Sequence, residues 1–430
     1  MFETNYEYLI VGSGAAGATL AKRLSEAGKS VGVLEKGGPE SKLGSFRHAV
    51  HYFDANPLTK IPKKSTEGVI LWRTFMAGGS TMVSAGNAGR ALETILQQFG
   101  LDLHEEFRHA EETTRAGLME SEHISRSSLR LLNEADKSGY HFELMPKFVN
   151  HDMCEQCGLC TLGCAHDAKW TAFKSLEKAH RSGAEIRYHM DVKEVITRNG
   201  DAIGVRGMRP TGPFALYGEK IILAVGGLGT PVILKNSGIH DAGERLFVDL
   251  MQIVYGALNE RTREHEPQMS LVNDEFHDSL GFILSPFVSL HRMVRFIEGG
   301  PEAATLPTNK IMGIMVKIKD ESEGNVDKHG KVSKPVTASD REKLDAGIEI
   351  SKELLIKSGV REETLVVTNP AGAHPGGSAA MGQTVDAEFR TEIDNLYVCD
   401  GSVLPEAPGK PPIITIIALA ERLARNFVSA

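Results

Sequence analysis

A glycine motif near the start of the chain restricts the possible folds most strongly. Residues 8–11 form a short apolar run that is typical of a buried parallel strand. Gly12, Gly14 and Gly17 follow it with the spacing G-x-G-x-x-G. The first glycine permits a tight turn, the second lets the backbone approach a pyrophosphate, and the third lets the next helix pack closely on the strand. The motif therefore predicts a pyrophosphate at the N-terminus of a helix that continues through Leu24.

An acidic residue closes the same unit. Residues 30–34 predict a second strand, and Glu35 ends it at the position where an acidic side chain binds ribose hydroxyls. This residue argues against the 2′-phosphate of NADP, but it does not separate NAD from FAD. Strand, glycine turn, helix, strand and acidic end occur in order within about 30 residues, the length of a dinucleotide-binding βαβ unit. The alternative is a βαβ unit whose glycines serve only packing.

Composition excludes some classes of function. A length of 430 residues predicts two to three domains. The net charge of −8 and the lack of an arginine-rich stripe give no basis for nucleic-acid binding. No apolar run approaches the roughly 20 residues of a membrane span. The first strand begins by about residue 6, which leaves no room for a signal peptide, so we expect a cytoplasmic protein.

Four of the five cysteines form one short run. Cys154, Cys157, Cys160 and Cys164 have the spacing C-x2-C-x2-C-x3-C, which is the run of bacterial ferredoxins. Ala165 replaces the proline that usually follows. Soft thiolates on a tight loop favour an iron–sulfur centre, so we predict a [4Fe–4S] cluster held by all four, or by three with an outside ligand. Structural zinc and free or redox-active thiols are the alternatives.

Two more glycine turns look suited to a bound nucleotide. Gly79 and Ser80 lie in a turn that can bring backbone N–H groups against a ring or a phosphate, and Asn87 adds a polar group. Gly226 follows the apolar strand predicted over residues 221–225 and precedes a helix. A glycine-rich surface loop is the alternative for the first turn, and glycine turns after buried strands are common in any α/β fold.

The rest of the chain predicts helices around a second sheet. Helices are expected over residues 101–118 and 127–137, a strand over 311–318, an exposed hairpin over 319–334 and a helix over 340–358.

The C-terminal region holds a candidate catalytic residue. His374 precedes a glycine turn that can hold it rigidly. Pro411 and Pro412 begin a helix over residues 413–427 that is apolar on most of its surface and therefore buried. The N-terminus of this helix is expected to point at the cofactor ring.

Four segments resemble the glucose–methanol–choline (GMC) oxidoreductase family in order. They are GSGAAG…LEKGG (12–38), AGGSTMVSAGNAGR (77–90), LAVGGLGTPVILKNSGI (223–239) and AHPGGSAAMG…NLYVCDGSVLPEAPGKPPIITIIALAER (373–422). The resemblance implies FAD as the cofactor and an α/β fold. Its Rossmann-like FAD-binding domain is split in sequence, and a smaller α+β substrate domain of a sheet and a helix is inserted.

The resemblance also implies domain limits and roles for individual residues. FAD-binding parts are expected at 1–95, 186–250 and 366–430, a helical insertion with the cysteine loop at 96–185, and the substrate domain at 251–365. His374 is implied as the catalytic acid/base. The cofactor-binding residues are expected to be Gly12, Gly14, Ala15, Ala16, Gly17, Glu35, Lys36, Gly79, Ser80, Asn87, Val192, Gly226, Asp400, Gly401, Pro411 and Pro412.

Three departures from the family shape the predicted reaction. Pro411 occupies the slot where the family usually places a second catalytic His or Asn, and Lys410 beside it is the candidate replacement. The chain is short for the family, which implies a trimmed substrate domain. The cysteine run lies outside the general pattern and resembles runs in a minority of microbial members and in long-chain alcohol-oxidising relatives.

We therefore predict non-covalent FAD that exchanges hydride with a small alcohol or, in reverse, with a carbonyl or alkene. A [4Fe–4S] cluster would pass electrons singly to a carrier such as ferredoxin. One alternative is an O₂-using alcohol oxidase with structural zinc on the cysteine run. The other is a flavin-bearing electron-transfer subunit without its own substrate.

Overall fold

The computed structural model describes residues 5–56, 58, 61–262, 266–307 and 309–429. The strands are β1 (Asn5–Val11), β2 (Val31–Leu34), β3 (Ile70–Leu71), β4 (Gly117–Leu118), β5 (Glu143–Leu144), β6 (Pro146–Lys147), β7 (Glu185–Arg187), β8 (Asp191–Arg198), β9 (Asp201–Arg209), β10 (Gly212–Leu223), β11 (Leu250–Ala257), β12 (Leu271–Val272), β13 (Phe282–Pro286), β14 (Ile311–Ile318), β15 (Asn325–Val326), β16 (Val332–Ser333), β17 (Val366–Val367), β18 (Ala371–Gly372) and β19 (Leu396–Val398).

The helices surround two sheets. They are α1 (Ala15–Glu26), α2 (Phe46–Tyr52), α3 (Glu93–Gln98), α4 (His104–Thr114), α5 (Arg126–Lys137), α6 (Ala172–Arg181), α7 (Thr230–Asn236), α8 (His291–Met293), α9 (Ala338–Lys357) and α10 (Ile413–Ser429). Among the described residues, no helix combines the length and the apolar character that a membrane crossing requires.

The first sheet carries the predicted nucleotide-binding unit. Within the described chain its order is β7-β2-β1-β10-β9-β8, with β19 beside the end of β10. β7, β2, β1, β10 and β19 run parallel, whereas β9 and β8 pair antiparallel. The helix α1 packs against α6 and α10. Strands from three distant parts of the sequence therefore form one Rossmann-like layer, and the predicted fold class is confirmed.

Two glycines of the motif are required by packing. A Cβ atom added to Gly17 would lie 2.1 Å from the carbonyl oxygen of Gly12, and one added to Gly12 would lie 2.3 Å from that of Ala224. Gly12 also has a φ of +100°, a conformation that other residues rarely adopt. A Cβ on Gly14 would meet nothing within 4 Å. Gly14 is therefore the one of the three whose missing side chain leaves open space, as expected beneath a pyrophosphate.

The second sheet is separate from the first and contains the long strands β11 and β14. Among the described residues its order is β13-β14-β11-β18-β3, with β17 beside β11. α9 covers one face of β11, β13 and β14, and every residue of β14 is buried. β3 and β18 lie outside residues 251–365, so the sheet is wider than the segment assigned to the substrate domain.

Several expected elements differ in extent. The helix predicted over 101–118 is shorter, because Arg115 takes a left-handed conformation that ends α4 and β4 follows. The 319–334 hairpin exists as β15 and β16, but it is not simply exposed. Lys334 is fully buried, with its ammonium 3.0 Å from the buried Asp320 carboxylate. The pattern missed this because an ion pair can bury two charges that look solvent-facing in sequence.

Candidate active site

A cavity of about 500 Å³ lies between the two sheets. It receives residues from the glycine motif, from the 77–90 segment, from β11 and β14, and from the turn before α10. The predicted residues that line it are Gly12, Gly14, Ala15, Ala16, Glu35, Lys36, Gly79, Ser80, Asn87, Val192, Gly226, His374, Asp400, Gly401, Pro411 and Pro412. Gly17 does not line it, in keeping with its packing role.

The nucleotide end of the cavity is built from backbone donors. Gly14 is the N-cap of α1 and provides no side-chain acceptor, so the first-turn N–H groups are available to an anion. Glu35 accepts from the Ser13 hydroxyl at 2.6 Å and from the Gly37 N–H at 2.7 Å. Burial raises the pKa of Glu35, and these hydrogen bonds oppose the shift. The glycine turn and the carboxylate form one rigid unit that fits an adenosine diphosphate moiety.

Two further turns are fixed against this unit. The Asp400 carboxylate accepts from the Gly226 N–H at 2.8 Å and from the Thr230 hydroxyl at 2.6 Å, so it joins the end of β19 to the turn after β10. A Cβ on Gly79 would lie 3.0 Å from Cα of Gly14, so the 77–90 segment packs directly on the glycine motif. Open space and free backbone donors in this part of the cavity fit FAD.

His374 lies at the cavity wall, and a contact with a buried carboxylate orients its ring. It follows β18, and its Nδ1 lies 2.9 Å from a carboxylate oxygen of Asp249. The other carboxylate oxygen of Asp249 accepts from the Gly409 N–H at 3.0 Å. Asp249 is fully buried and has a left-handed φ of 51°. Nδ1–H donating to Asp249 leaves Nε2 of His374 as the proton acceptor.

A buried lysine adds a positive charge at the same point. Lys317 in β14 is 2% exposed, and its Nζ lies 3.2 Å from Nδ1 of His374. Because Nδ1–H of His374 donates to Asp249, Nδ1 cannot accept a hydrogen bond from this ammonium, and within the described part of the chain no carboxylate oxygen lies within 4.0 Å of the ammonium. Lys317 also lines the cavity. An incompletely paired ammonium therefore faces the space beside His374.

The three groups shift one another's protonation. Burial lowers the pKa of His374 well below its ordinary value, and Lys317 lowers it further. Burial raises the pKa of Asp249 to about 7, against the opposing effect of Lys317. Burial also lowers the pKa of Lys317, while Asp249 opposes that shift. His374 is consequently a neutral imidazole at neutral pH, as a general base requires.

The structure does not bring Lys410 to this group. Its ammonium is 2.9 Å from the Asp274 carboxylate, and among the described residues Lys410 is not part of the cavity wall. Asp249 and Lys317 were missed by the sequence reasoning. One signal was available for Lys317, because a single lysine inside the apolar run of β14 is unusual for a fully buried strand.

The floor of the cavity on the second sheet is apolar. Alternate residues of β11 and β14, among them Ile253 and Met315, face it together with Phe287. Glu298 also reaches the wall, where it accepts hydrogen bonds from the Ser289 and Tyr255 hydroxyls at 2.7 and 3.1 Å. Burial raises the pKa of Glu298 to about 7. A mainly apolar substrate with a small polar group fits this surface.

The cysteine loop adjoins the cavity. Cys154, Cys157, Cys160 and Cys164 are all half-buried free thiols. Thr161 from the same loop lines the cavity. Burial raises the pKa of the Cys154 and Cys157 thiols, although backbone N–H groups act in the opposite direction.

The spacing of the sulfurs differs from that of a zinc site. Among the described residues, the one group of three or more His, Cys, Asp or Glu ligand atoms within 4.8 Å of one another contains no cysteine. Tetrahedral zinc with Zn–S bonds of about 2.3 Å requires sulfurs about 3.8 Å apart. No three cysteine sulfurs among the described residues therefore lie as close together as a single zinc ion requires.

A buried lysine connects the cysteine loop to the 77–90 segment. Lys169 donates to the carbonyls of Cys160, Met82 and Ser84 at 3.1, 3.0 and 2.5 Å. A second buried lysine, Lys147, donates to the Asn87 side chain at 2.6 Å and to the Gln268 carbonyl at 2.7 Å. The loop and the predicted flavin-lining segment are thus joined through the ammonium of Lys169.

Known proteins match this chain over nearly its whole length. Two family models, both described as GMC oxidoreductase, match residues 6–251 and 331–420. The uncharacterized protein MJ1450 of Methanocaldococcus jannaschii is 31% identical over 98% of this chain and 100% of its own length. The long-chain-alcohol oxidase FAO3 of Arabidopsis thaliana is 23% identical over 98% of this chain and 68% of its own.

A solved structure shares the fold. The crystal structure of pyridoxine 4-oxidase from Mesorbium loti superposes with a TM-score of 0.76 at 16% identity, covering 99% of this chain and 100% of that one. At this identity the similarity describes the fold alone.

Proposed function

Because the chain belongs to the GMC oxidoreductase family and is an FAD-dependent oxidoreductase, we propose that it transfers hydride between an alcohol-type CH–OH group and FAD. The observation that carries this proposal is His374, whose Nδ1 is anchored to Asp249 while its ring lines the cavity. The reverse reaction, reduction of a carbonyl or alkene, uses the same groups.

FAD would be held without a covalent bond by the residues that line the nucleotide end. The first turn of α1 would bind the pyrophosphate and Glu35 the ribose, with Gly79, Ser80 and Asn87 along the flavin. The N-terminus of α10, behind Pro411 and Pro412, offers partial positive charge to the ring. When bound, FAD supplies the hydride acceptor of the reaction. Acid denaturation should release free FAD.

His374 would move the proton. Its neutral Nε2 accepts the hydroxyl proton of the substrate, and Asp249 stabilises the imidazolium that forms through the Nδ1 hydrogen bond. The apolar floor of β11 and β14 excludes water around this step.

Lys317 would bind the substrate oxygen. Its ammonium has unused N–H donors at the cavity, beside His374. A buried donor there stabilises negative charge on the oxygen as the proton leaves. We therefore assign to Lys317 the role that the sequence suggested for Lys410, whose ammonium pairs with Asp274.

The cysteine loop would hold a [4Fe–4S] cluster that gives electrons a one-electron exit to a carrier such as ferredoxin. Two observations support this: the ferredoxin-type spacing, and Thr161 of the same loop at the cavity wall. The second candidate is an O₂-using alcohol oxidase with zinc on the loop. The names of the relatives, long-chain-alcohol oxidase among them, favour it.

The first experiment is anaerobic purification followed by iron, sulfide and zinc analysis, with EPR before and after dithionite. Iron and sulfide in equal amounts, with a signal after reduction, are expected. Zinc without sulfide, together with peroxide formation from alcohols in air, would contradict the electron relay and support the alcohol oxidase.

The second experiment tests the chemistry itself. A panel of primary and secondary alcohols, from short to long-chain and aromatic, is mixed anaerobically with the enzyme, and bleaching of the flavin absorbance is followed. Carbonyl compounds are mixed in parallel with the dithionite-reduced enzyme. If no compound changes the redox state of the flavin in either direction, the proposal of a substrate-converting enzyme is wrong.

A further inference from the structure

Three ligand-type side chains converge outside the cavity. One ligand atom from each of Glu120, His123 and His151 lies within 4.8 Å of the other two. Nδ1 of His123 is 3.3 Å from a carboxylate oxygen of Glu120, and the two imidazole centroids are 4.9 Å apart. None of these residues takes part in the cavity or belongs to the cysteine run.

The fold brings them together from two separate segments. β4 pairs with β6, with Leu118 opposite Pro146. Glu120 and His123 flank the turn just after β4, and His151 begins a turn a few residues after β6. The pairing of β4 with β6 therefore fixes the approach of the His123 ring to the His151 ring.

Both histidines present an unused nitrogen. Nδ1 of His123 and Nδ1 of His151 are buried, and neither forms a hydrogen bond with acceptable geometry to a described residue. The contact of 3.3 Å between Nδ1 of His123 and the Glu120 carboxylate is an ion-pair distance without that geometry. Leaving a buried polar atom unpaired is unfavourable, because the atom has lost its hydrogen bonds to water and gained none in the protein. A single cation coordinated by the two imidazole nitrogens and the Glu120 carboxylate would give all three groups a partner.

We propose that Glu120, His123 and His151 form a binding site for a divalent transition metal, best represented by Zn²⁺. Two imidazole nitrogens and one carboxylate oxygen are a known donor set for zinc with an open fourth position. Glu120 is 56% exposed, so its side chain is free to close on the ion and water can complete the coordination. Since His151 lies three residues before Cys154, the ion would also anchor the entry to the cysteine run.

Zinc binding to the anaerobically prepared flavoprotein tests this site. Chelator-treated protein receives Zn²⁺, and the bound metal is measured after removal of the excess. The zinc X-ray absorption edge then distinguishes nitrogen and oxygen ligands at about 2.0–2.1 Å from sulfur at about 2.3 Å. We expect one zinc with a nitrogen and oxygen shell only. A sulfur shell would assign the zinc to the cysteine loop and overturn the proposal.

Substitutions separate a site from adventitious binding. His123→Asn and His151→Asn are each expected to weaken zinc binding by at least about 100-fold. This is more than the effect of substituting a residue that only hydrogen-bonds to a metal ligand. His141→Asn is the matched control, because His141 stands 3.7 Å from Asp136 in an exposed His–carboxylate pair. Flavin content and melting temperature without zinc verify folding. Equal zinc binding by His123→Asn, or none by the unaltered protein, would contradict the proposal.

Discussion

At the scale of single residues, the environment of His374 decides what its ring can do. Asp249 fixes the ring through Nδ1, while burial and, to a lesser extent, the charge of Lys317 lower the pKa of His374 and keep the imidazole neutral. His374→Asn is expected to slow reduction of the flavin by a reactive alcohol about 10²- to 10⁴-fold. Anaerobic stopped-flow absorbance measures the rate, and flavin content is the control. An unchanged rate would remove His374 from the mechanism.

Lys317 and Lys410 form a matched pair of lysines, of which Lys317 lines the cavity and Lys410 does not. Lys317→Met is expected to slow flavin reduction about 100-fold, because the substrate oxygen loses a buried donor. Lys410→Met removes an ion pair with the exposed Asp274 and should change the rate less than about fivefold. Equal effects of the two substitutions would refute the role assigned to Lys317.

The pH profile gives an independent readout of the same lysine. Burial and then Lys317 lower the pKa of His374 well below its ordinary value of 6.5, so the imidazole stays neutral into the acidic range. The rate should therefore begin to fall only well below pH 6.5. Removing the charge in Lys317→Met raises the pKa of His374 and moves this acidic limb to higher pH. A limb that does not move would mean that Lys317 does not act on His374.

At the scale of elements, the glycines of the motif before α1 have different roles: Gly14 is expected to serve FAD binding and Gly17 the packing of the helix. Gly14→Ala meets no protein atom, so it should leave the stability of the FAD-free protein unchanged and weaken FAD binding by at least about 1.4 kcal/mol, or tenfold. Gly17→Ala places a Cβ against the Gly12 carbonyl and should lower the melting temperature even without FAD. Fluorescence titration with FAD and thermal melts measure the two effects.

The same scale explains which parts of the site are readable in sequence. The nucleotide end was predicted because each of its turns follows its own strand, so that Gly12, Gly14 and Glu35 are positioned locally. Lys317 was not predicted, because it reaches His374 through the antiparallel register of β11 and β14, which sets Met251 opposite Lys317. That register joins residues distant in sequence, and a run of apolar letters does not encode it.

At the scale of the whole molecule, several carboxyl groups are buried around the second sheet. Burial raises the pKa of Asp249 and of Glu298 to about 7 and that of Asp320 to about 6. In the unfolded chain these groups ionise near pH 4 to 4.5, so between there and pH 7 the native state binds more protons. Their contribution to stability therefore falls as pH rises through that window.

Glu298 offers the clearest test, since the causes of its raised pKa include no neighbouring charge. As pH rises from 4.5 to 7, the unfolding free energy of the unaltered protein should fall relative to that of Glu298→Gln, by up to about 1.4 kcal/mol per pH unit. Urea unfolding at several pH values measures the difference. The exposed Glu362→Gln is the control. An unaltered protein that gains stability relative to Glu298→Gln as pH rises through this window would contradict the assigned direction.

The interleaving of the two sheets has a consequence for biosynthesis. β1 leaves the ribosome early, yet its partner β10 follows some two hundred residues later, and β19 and α10 come only near the end of the chain. Asp400 and the turn before α10 complete the walls of the cavity that we propose for FAD. The nascent chain thus exposes half-built sheets through most of translation, and FAD can be captured in full only after the last helix has emerged.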